Sequence, residues 1–191
     1  MNQKIDRRVK YTIHQLKEAL VRLMQEQHIS KISVKALCEA ADVNRSTFYS
    51  HFYSQYDLLH YIEEDVINNL RSYLQTQDYV ENIAPSVQAI YNILEYAKKN
   101  SQLFMALLSE NGDPSFQMEL MQLSQISAPE VMAMRKDLDP RTVDYLFLFV
   151  VNGSVSLLHK WLKDGMIEST EDMARLVMLL INGGIADFVV R

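Results

Sequence analysis

The 191-residue sequence predicts an all-α chain, with an N-terminal three-helix segment followed by a longer helical body. Three observations predict it. Proline and glycine are scarce, at four and five residues, so few breaks interrupt the chain. Apolar residues recur at spacings of three and four, and no long stretch alternates with a period of two. The run over residues 34–52, VKALCEAADVNRSTFYSHF, reads as two short helices joined by a tight turn.

The first helix is expected over about residues 7–27, where Val9, Ile13, Leu16, Leu20 and Leu23 form one apolar stripe. Lys4, Arg7, Arg8 and Lys10 cluster at its start, either as an arm that touches phosphate or the minor groove or as a solvated helix end. Ser33 is a good N-cap for a helix beginning at Val34, since its hydroxyl can accept a first-turn N–H. Ala36, Leu37, Ala40 and Ala41 then fall on one face, and small side chains allow close helix approach. Asp42 and Val43 break the pattern, Val43 serving as an apolar plug for the turn, and Asn44 caps the second helix. Phe48 and Phe52, four apart, face inward. This is a helix-turn-helix in sequence, whose second helix offers its polar N-terminal end to the major groove of DNA. Candidate DNA contacts are Ser33, Lys35, Asn44, Arg45, Ser46, Thr47, Tyr49 and His51. Arg45 is the candidate for direct base contact, because a guanidinium can bind guanine O6 and N7 together.

At these residues the chain resembles the TetR-type transcriptional regulators. Their recognition helix commonly reads like Arg45-Ser46-Thr47-Phe48-Tyr49 followed by His51-Phe52, and their preceding helix like Ile32, Val34, Leu37 and Ala41 at this spacing. The resemblance implies a helix-turn-helix DNA-binding domain at residues 1–53 and a helical ligand-binding and dimerisation domain at residues 54–191. It also implies a repressor that binds double-stranded operator DNA as a homodimer through its last two helices and is released by a small-molecule effector. Two positions depart from the pattern. Asp42 stands where the family usually has Gly in the turn, and Gln55 where it often has a phosphate-contacting Lys. Asp tolerates the left-handed conformation better than most residues, so the turn is expected to survive. SENGDPSF at residues 109–116, after LLHYIEED at residues 58–65, resembles a subgroup that includes regulators of dihydroxyacetone kinase operons.

Charge divides in the same place. The chain has a net charge of −5, but residues 1–53 carry nine Lys/Arg and five Asp/Glu, a net of +4, while residues 54–191 stand at −9. A basic head on an acidic body is the asymmetry expected when one end alone meets phosphate. The single cysteine, Cys38, excludes an intrachain disulfide and is expected as a small buried hydrophobe. The start, MNQKIDRRVKYT, is polar and lacks the apolar core of a secretory signal. The longest unbroken apolar run, residues 145–151, is too short to span a bilayer, so a cytoplasmic chain without a membrane partner is expected.

A fourth helix over residues 55–74 carries Leu58, Leu59, Ile62, Val66, Leu70 and Leu74 and is expected to link the two domains. Residues 76–84 read as a connector, with Pro85 suited to the first turn of the next helix. Helices over 85–100 and 101–109 follow, then the loop Asn111-Gly112-Asp113-Pro114 and a helix from Ser115 to near Ile126; Pro129 and Pro140 mark later boundaries. Residues 143–163 and 171–189 are apolar around much of their circumference and so need two partners each. A bundle shared by two subunits satisfies this, with Gly153, Ser154, Gly183 and Gly184 allowing close backbone approach; a fully buried hairpin within a monomer is the alternative.

Tyr91, Tyr96, Phe104 and Phe116 are the candidate aromatic walls of a ligand pocket within residues 85–165, joined by Met105, Met118, Met121, Met132 and Met134. The same side chains also suit an ordinary core. No dinucleotide, P-loop or zinc-protease motif is present, and no catalytic residue, cofactor or metal is expected. His60 and Glu64, four apart, suit an exposed ion pair better than a metal site, and His159 near Trp161 suits packing. The alternative to a DNA-binding regulator is a co-regulator that kept the fold but acts through a protein partner.

Overall fold

The computed structural model describes residues 7–75, 85–125 and 139–186. Lys4, the connector at residues 76–84, Ile126, Pro129, Met132, Met134 and the expected end of the last helix at Val189 lie outside the described residues. The regular structure among the described residues is helical: α1 (Arg7–Met24), a 3-10 turn (Ile29–Lys31), α2 (Val34–Ala41), α3 (Arg45–Tyr49), α4 (Gln55–Gln75), α5 (Pro85–Lys99), α6 (Ser101–Leu107), α7 (Pro114–Gln125), α8 (Pro140–Lys163) and α9 (Thr170–Ala186). The chain forms two compact units, one of residues 1–66 with 102–116 and the other of residues 67–101 with 117–191.

In the first unit the apolar stripe of α1 becomes a core face. Leu16, Ala19, Leu20 and Met24 are buried, while Val9, Ile13 and Leu23 are half-buried. α1 stops at Met24, three residues before its expected end, because its last carbonyls find partners outside the helix. The side-chain amide of Asn111 donates to the Met24 carbonyl at 3.0 Å, and the Asn111 carbonyl accepts the Ile29 N–H at 3.1 Å. Both bonds lie within the first unit and bring the loop after α6 onto the end of α1. Gly112, next in the loop, has no room for a side chain: a Cβ there would stand 2.5 Å from the Leu107 carbonyl oxygen. Ile29, Ile32, Leu37, Phe48, Leu58, Leu59, Ile62, Phe104 and Phe116 complete an interior in which each is at most 2% exposed. Burial of a side chain of this size contributes about 1.5–3 kcal/mol.

α4 opens on a reciprocal pair. The Asp57 N–H donates to the Ser54 hydroxyl, and the Asp57 carboxylate accepts the Tyr53 N–H at 2.8 Å. On the exposed face of α4 the His60 imidazole lies 3.4 Å from the Glu64 carboxylate.

The second unit packs α5 against α9, and α8 against α9. Leu94 and Ala97 of α5, Leu158, Trp161 and Leu162 of α8, and Met173, Ala174 and Val177 of α9 are buried. The Trp161 indole N–H donates to the Glu168 carbonyl, and the buried Thr170 hydroxyl donates to the Glu95 carboxylate. α8 starts three residues earlier than expected because Asp139 caps it, accepting the Arg141 and Thr142 N–H groups at 3.1 Å, with Pro140 at the first helical position. Its other end closes on Gly165, where the positive φ of 85° suits a residue without a Cβ; the Met166 N–H returns to the Trp161 carbonyl at 2.9 Å. Taken whole, α8 is long and apolar enough by length and composition to cross a membrane, which its longest unbroken apolar run does not suggest. Its faces nevertheless differ: Leu158, Trp161 and Leu162 are buried, while Asp144, Asn152 and Lys160 are exposed.

Candidate nucleic-acid interface

The turn between α2 and α3 is built locally. The Ser33 hydroxyl accepts the Ala36 N–H at 3.1 Å and starts α2, whose face of Leu37, Cys38 and Ala41 is buried. Asp42 takes the left-handed conformation at φ 53° and ψ 42°. The Val43 N–H then reaches back to the Cys38 carbonyl at 3.0 Å and the Asp42 N–H to Glu39, a Schellman ending made without glycine. Asn44 caps α3, its side-chain oxygen accepting from both the N–H and the hydroxyl of Ser46 at 2.9 Å. Phe48 is fully buried and Phe52 nearly so, their rings 5.9 Å apart, which fixes the roll of α3.

With Phe48 inward, Arg45, Ser46 and Tyr49 are exposed and Thr47 and His51 half-buried. The Tyr49 ring meets Phe48 edge-on at 5.5 Å, leaving the side chain 51% exposed. Ser33 and Lys35 are exposed on α2, and the Lys35 ammonium lies 3.9 Å from the Glu39 carboxylate. The candidate contacts therefore share one unit, but Ser33 and Asn44 already spend their side-chain oxygens on helix caps. Each keeps its donors for a ligand. A cleft of about 260 Å³ runs beside them, lined by Tyr11, Thr12 and Gln15 of α1 and by Asp42, Val43, Asn44 and Thr47. Tyr11, which lines this cleft, is 66% exposed, and Tyr53, four residues after Tyr49 in sequence, is 90% exposed; neither lies in the motif proper. The only signal that could have found them is that both are phenols beside a helix-turn-helix.

Cys38 is buried, and burial pushes its thiol up, partly opposed by the Arg45 guanidinium. It is held as a thiol, a small core side chain as expected.

The four candidate pocket residues are not brought together in one unit. Phe104 and Phe116 are fully buried in the first unit, where the loop they flank docks on α1; Tyr91 and Tyr96 are half-buried on α5 in the second. Burial pushes the Tyr91 phenol up, with the carboxylates of Glu95 and Glu171 adding to it. Tyr96 lies 5.2 Å from the Tyr73 ring. The second unit also carries an apolar surface. Tyr145, Leu148 and Phe149 of α8, and Leu176, Leu179 and Leu180 of α9, are each 40–70% exposed. Between α8 and α9 a groove of about 230 Å³ is lined by Phe149, Gly153, Leu157 and Leu180 among others, and a Cβ on Gly153 would touch nothing within 4 Å.

A family model described as bacterial regulatory proteins, tetR family, matches residues 16–62, and one described as transcriptional regulator C-terminal region matches residues 86–183. Together with the turn geometry, these matches define a helix-turn-helix transcription factor rather than an enzyme. The chain belongs to the TetR family of transcriptional regulators. It is similar to a TetR transcriptional regulator from Streptococcus agalactiae 2603V, with 25% identity, a TM-score of 0.67 and coverage of 92% of this chain and 96% of that one. It is also similar in fold to the dihydroxyacetone kinase operon activator DhaS, at 18% identity and TM-score 0.59 over 92% of this chain and 97% of that one. A third similar structure is FadR from Bacillus subtilis in complex with stearoyl-CoA, at 14% identity and TM-score 0.62 over 90% of this chain and 98% of that one. The last two share the fold alone, so the finer resemblance to the kinase-operon subgroup gains only that much. No curated protein matches the chain.

Proposed function

We propose that this chain is a dimeric repressor that binds a roughly palindromic operator and releases it when a small molecule occupies the C-terminal region. The observation that carries this is the pairing, on one chain, of an exposed recognition helix with an exposed apolar face on α8 and α9. One such helix reads too few base pairs for a specific site. Two, related by a dyad, meet successive major grooves about 34–36 Å apart. The exposed side chains of α8 and α9 supply an interface whose burial the monomer leaves undone, and open space over Gly153 lets a second backbone come close. Binding chromosomal DNA places the protein in the cytoplasm.

The effector reading rests on the body. It is acidic and adds nothing favourable to DNA affinity, so its size needs another purpose. α4 contributes residues to both compact units, which makes its tilt a natural lever on head spacing. FadR, solved with stearoyl-CoA, shares the fold, and Tyr91 and Tyr96 of α5 are the proposed aromatic contacts here. Moving the DNA-competent population from 99:1 to 1:99 needs differential binding of about 5.5 kcal/mol.

Light scattering and a gel shift with DNA from upstream of the protein's own gene test the reading. A dimer at micromolar concentration that shifts this DNA is expected. A monomer would remove the two-headed geometry, and a dimer that ignores DNA but captures a protein would favour the co-regulator. Phe149→Asp with Leu179→Asp should give a folded monomer with operator affinity reduced at least a hundredfold.

A further inference from the structure

Backbone contacts in protein–DNA complexes usually come from Lys and Arg, yet from Ala40 to Val66 this chain has one such residue, Arg45, and four tyrosines. Three of the cations on α1 and α2 have partners within the chain. Lys17 pairs with Asp65 at 2.7 Å, the Arg22 guanidinium donates to the Ala40 carbonyl at 2.8 Å, and Lys35 stands by Glu39. Beside Arg45, the four tyrosines of this stretch, Tyr49, Tyr53, Tyr56 and Tyr61, are each more than 40% exposed.

Two of them bracket the recognition helix. Tyr11 shares its cleft with Asn44 and Thr47, at the start of α3. Tyr53 follows the other end, four residues after Tyr49. The Tyr53 side chain is 90% exposed, but its backbone is held firmly. Its N–H is bound by the Asp57 carboxylate, and the preceding residue, Phe52, is buried against Phe48 and Tyr61 at 5.9 and 5.6 Å. A phenol in open water on a fixed platform adds nothing to its own fold. Its ring suits the face of a deoxyribose, and its hydroxyl can donate to a phosphate oxygen.

We propose that Tyr11 and Tyr53 bind the DNA backbone at the two ends of the recognition helix, through neutral phenolic hydroxyls rather than charge. This rests on the DNA-binding reading above and adds to it a prediction about salt. Contacts made by cations release counterions and steepen the fall of affinity with ionic strength; contacts made by a neutral hydroxyl do not. The part of the backbone grip made by Tyr11 and Tyr53 should therefore persist at salt concentrations that weaken contacts made by lysines.

The test uses full-length protein and a duplex selected by the wild-type chain from a randomised 30-base-pair pool, with anisotropy titrations at several KCl concentrations. Tyr11→Phe and Tyr53→Phe keep the ring and remove the hydroxyl. Each should weaken binding roughly tenfold, the scale of a hydrogen bond to a charged group. The loss should be the same on an unselected duplex, and the slope of log affinity against log salt should not change. Tyr61→Phe, an exposed phenol further along α4, should bind as wild type. Arg45→Ala supplies the comparison, with reduced affinity and a shallower slope. If both phenylalanine variants bind as wild type while Arg45→Ala is impaired, the phenols are not contacts and the DNA-binding reading stands. If they weaken binding and flatten the slope together, the contact is not a neutral one and the proposal is wrong on that point. Failure to select any duplex, with Arg45→Ala indistinguishable from wild type, overturns the inference together with the reading beneath it.

Discussion

Arg45 is the residue proposed to read DNA sequence. It leads α3 with its side chain exposed, and Asn44 is held behind it by the cap on Ser46. Arg45→Ala should cost about 1–3 kcal/mol and relax preference at one position per half-site, whereas Tyr49→Phe should weaken all sequences alike. Competition assays with single-base operator variants separate the two outcomes. A second prediction concerns Asp139. Its carboxyl is held below the ordinary range first by the Thr142 hydroxyl and then by the Thr142 and Arg141 amides. A carboxyl depressed by folding contributes stability above its unfolded pKa and loses it as pH falls through the folded value. Thr142→Val should therefore raise the Asp139 pKa by NMR titration and lower the melting temperature at pH 7. That deficit should vanish in strong acid. The caps at Ser33 and Asn44, and the left-handed Asp42, were legible in sequence because each is decided by its immediate neighbours. Tyr11 and Tyr53 were not, since a tyrosine's exposure depends on what the rest of the chain places around it.

Helix boundaries show the same division between local and distant causes. α2 begins and ends where its cap and turn residues say it should. α1 ends earlier than its own sequence suggests, because its terminal carbonyl is taken by Asn111, 87 residues away. No window of sequence carries that information. Phe104 and Phe116 illustrate the same difficulty: an aromatic at helical spacing looks alike whether it lines a ligand cavity or fills a core, and here both are core residues of the first unit. The loop between α6 and α7 has a further requirement at Gly112, whose missing Cβ makes room for the Leu107 carbonyl. Gly112→Ala meets backbone rather than a movable side chain, so the loop must shift and the Asn111 bonds with it. The expected result is a lower melting temperature with faster amide exchange at Ile29, while Gly153→Ala, which meets nothing within the chain, should leave the monomer's packing intact.

At the scale of the whole molecule, the all-α class, the N-terminal motif and the doubly apolar last helices were readable, because periodicity and charge asymmetry report on them directly. The partition into units was less so, since the first unit takes in residues 102–116 as well as the N-terminal stretch. That return of the chain bears on how the protein is made. Residues 1–66 leave the ribosome long before Asn111 and Phe116, so the reading head emerges without the segment that closes over the end of α1. It should remain loosely packed until residues 102–116 have also been made. A chain cut after residue 66 should show the same incompleteness, with less amide protection around residues 24–32 than the full-length protein and binding of a hydrophobic dye. Grafting this head onto another regulator's body would then carry over the recognition helix but leave behind the piece that finishes its interior.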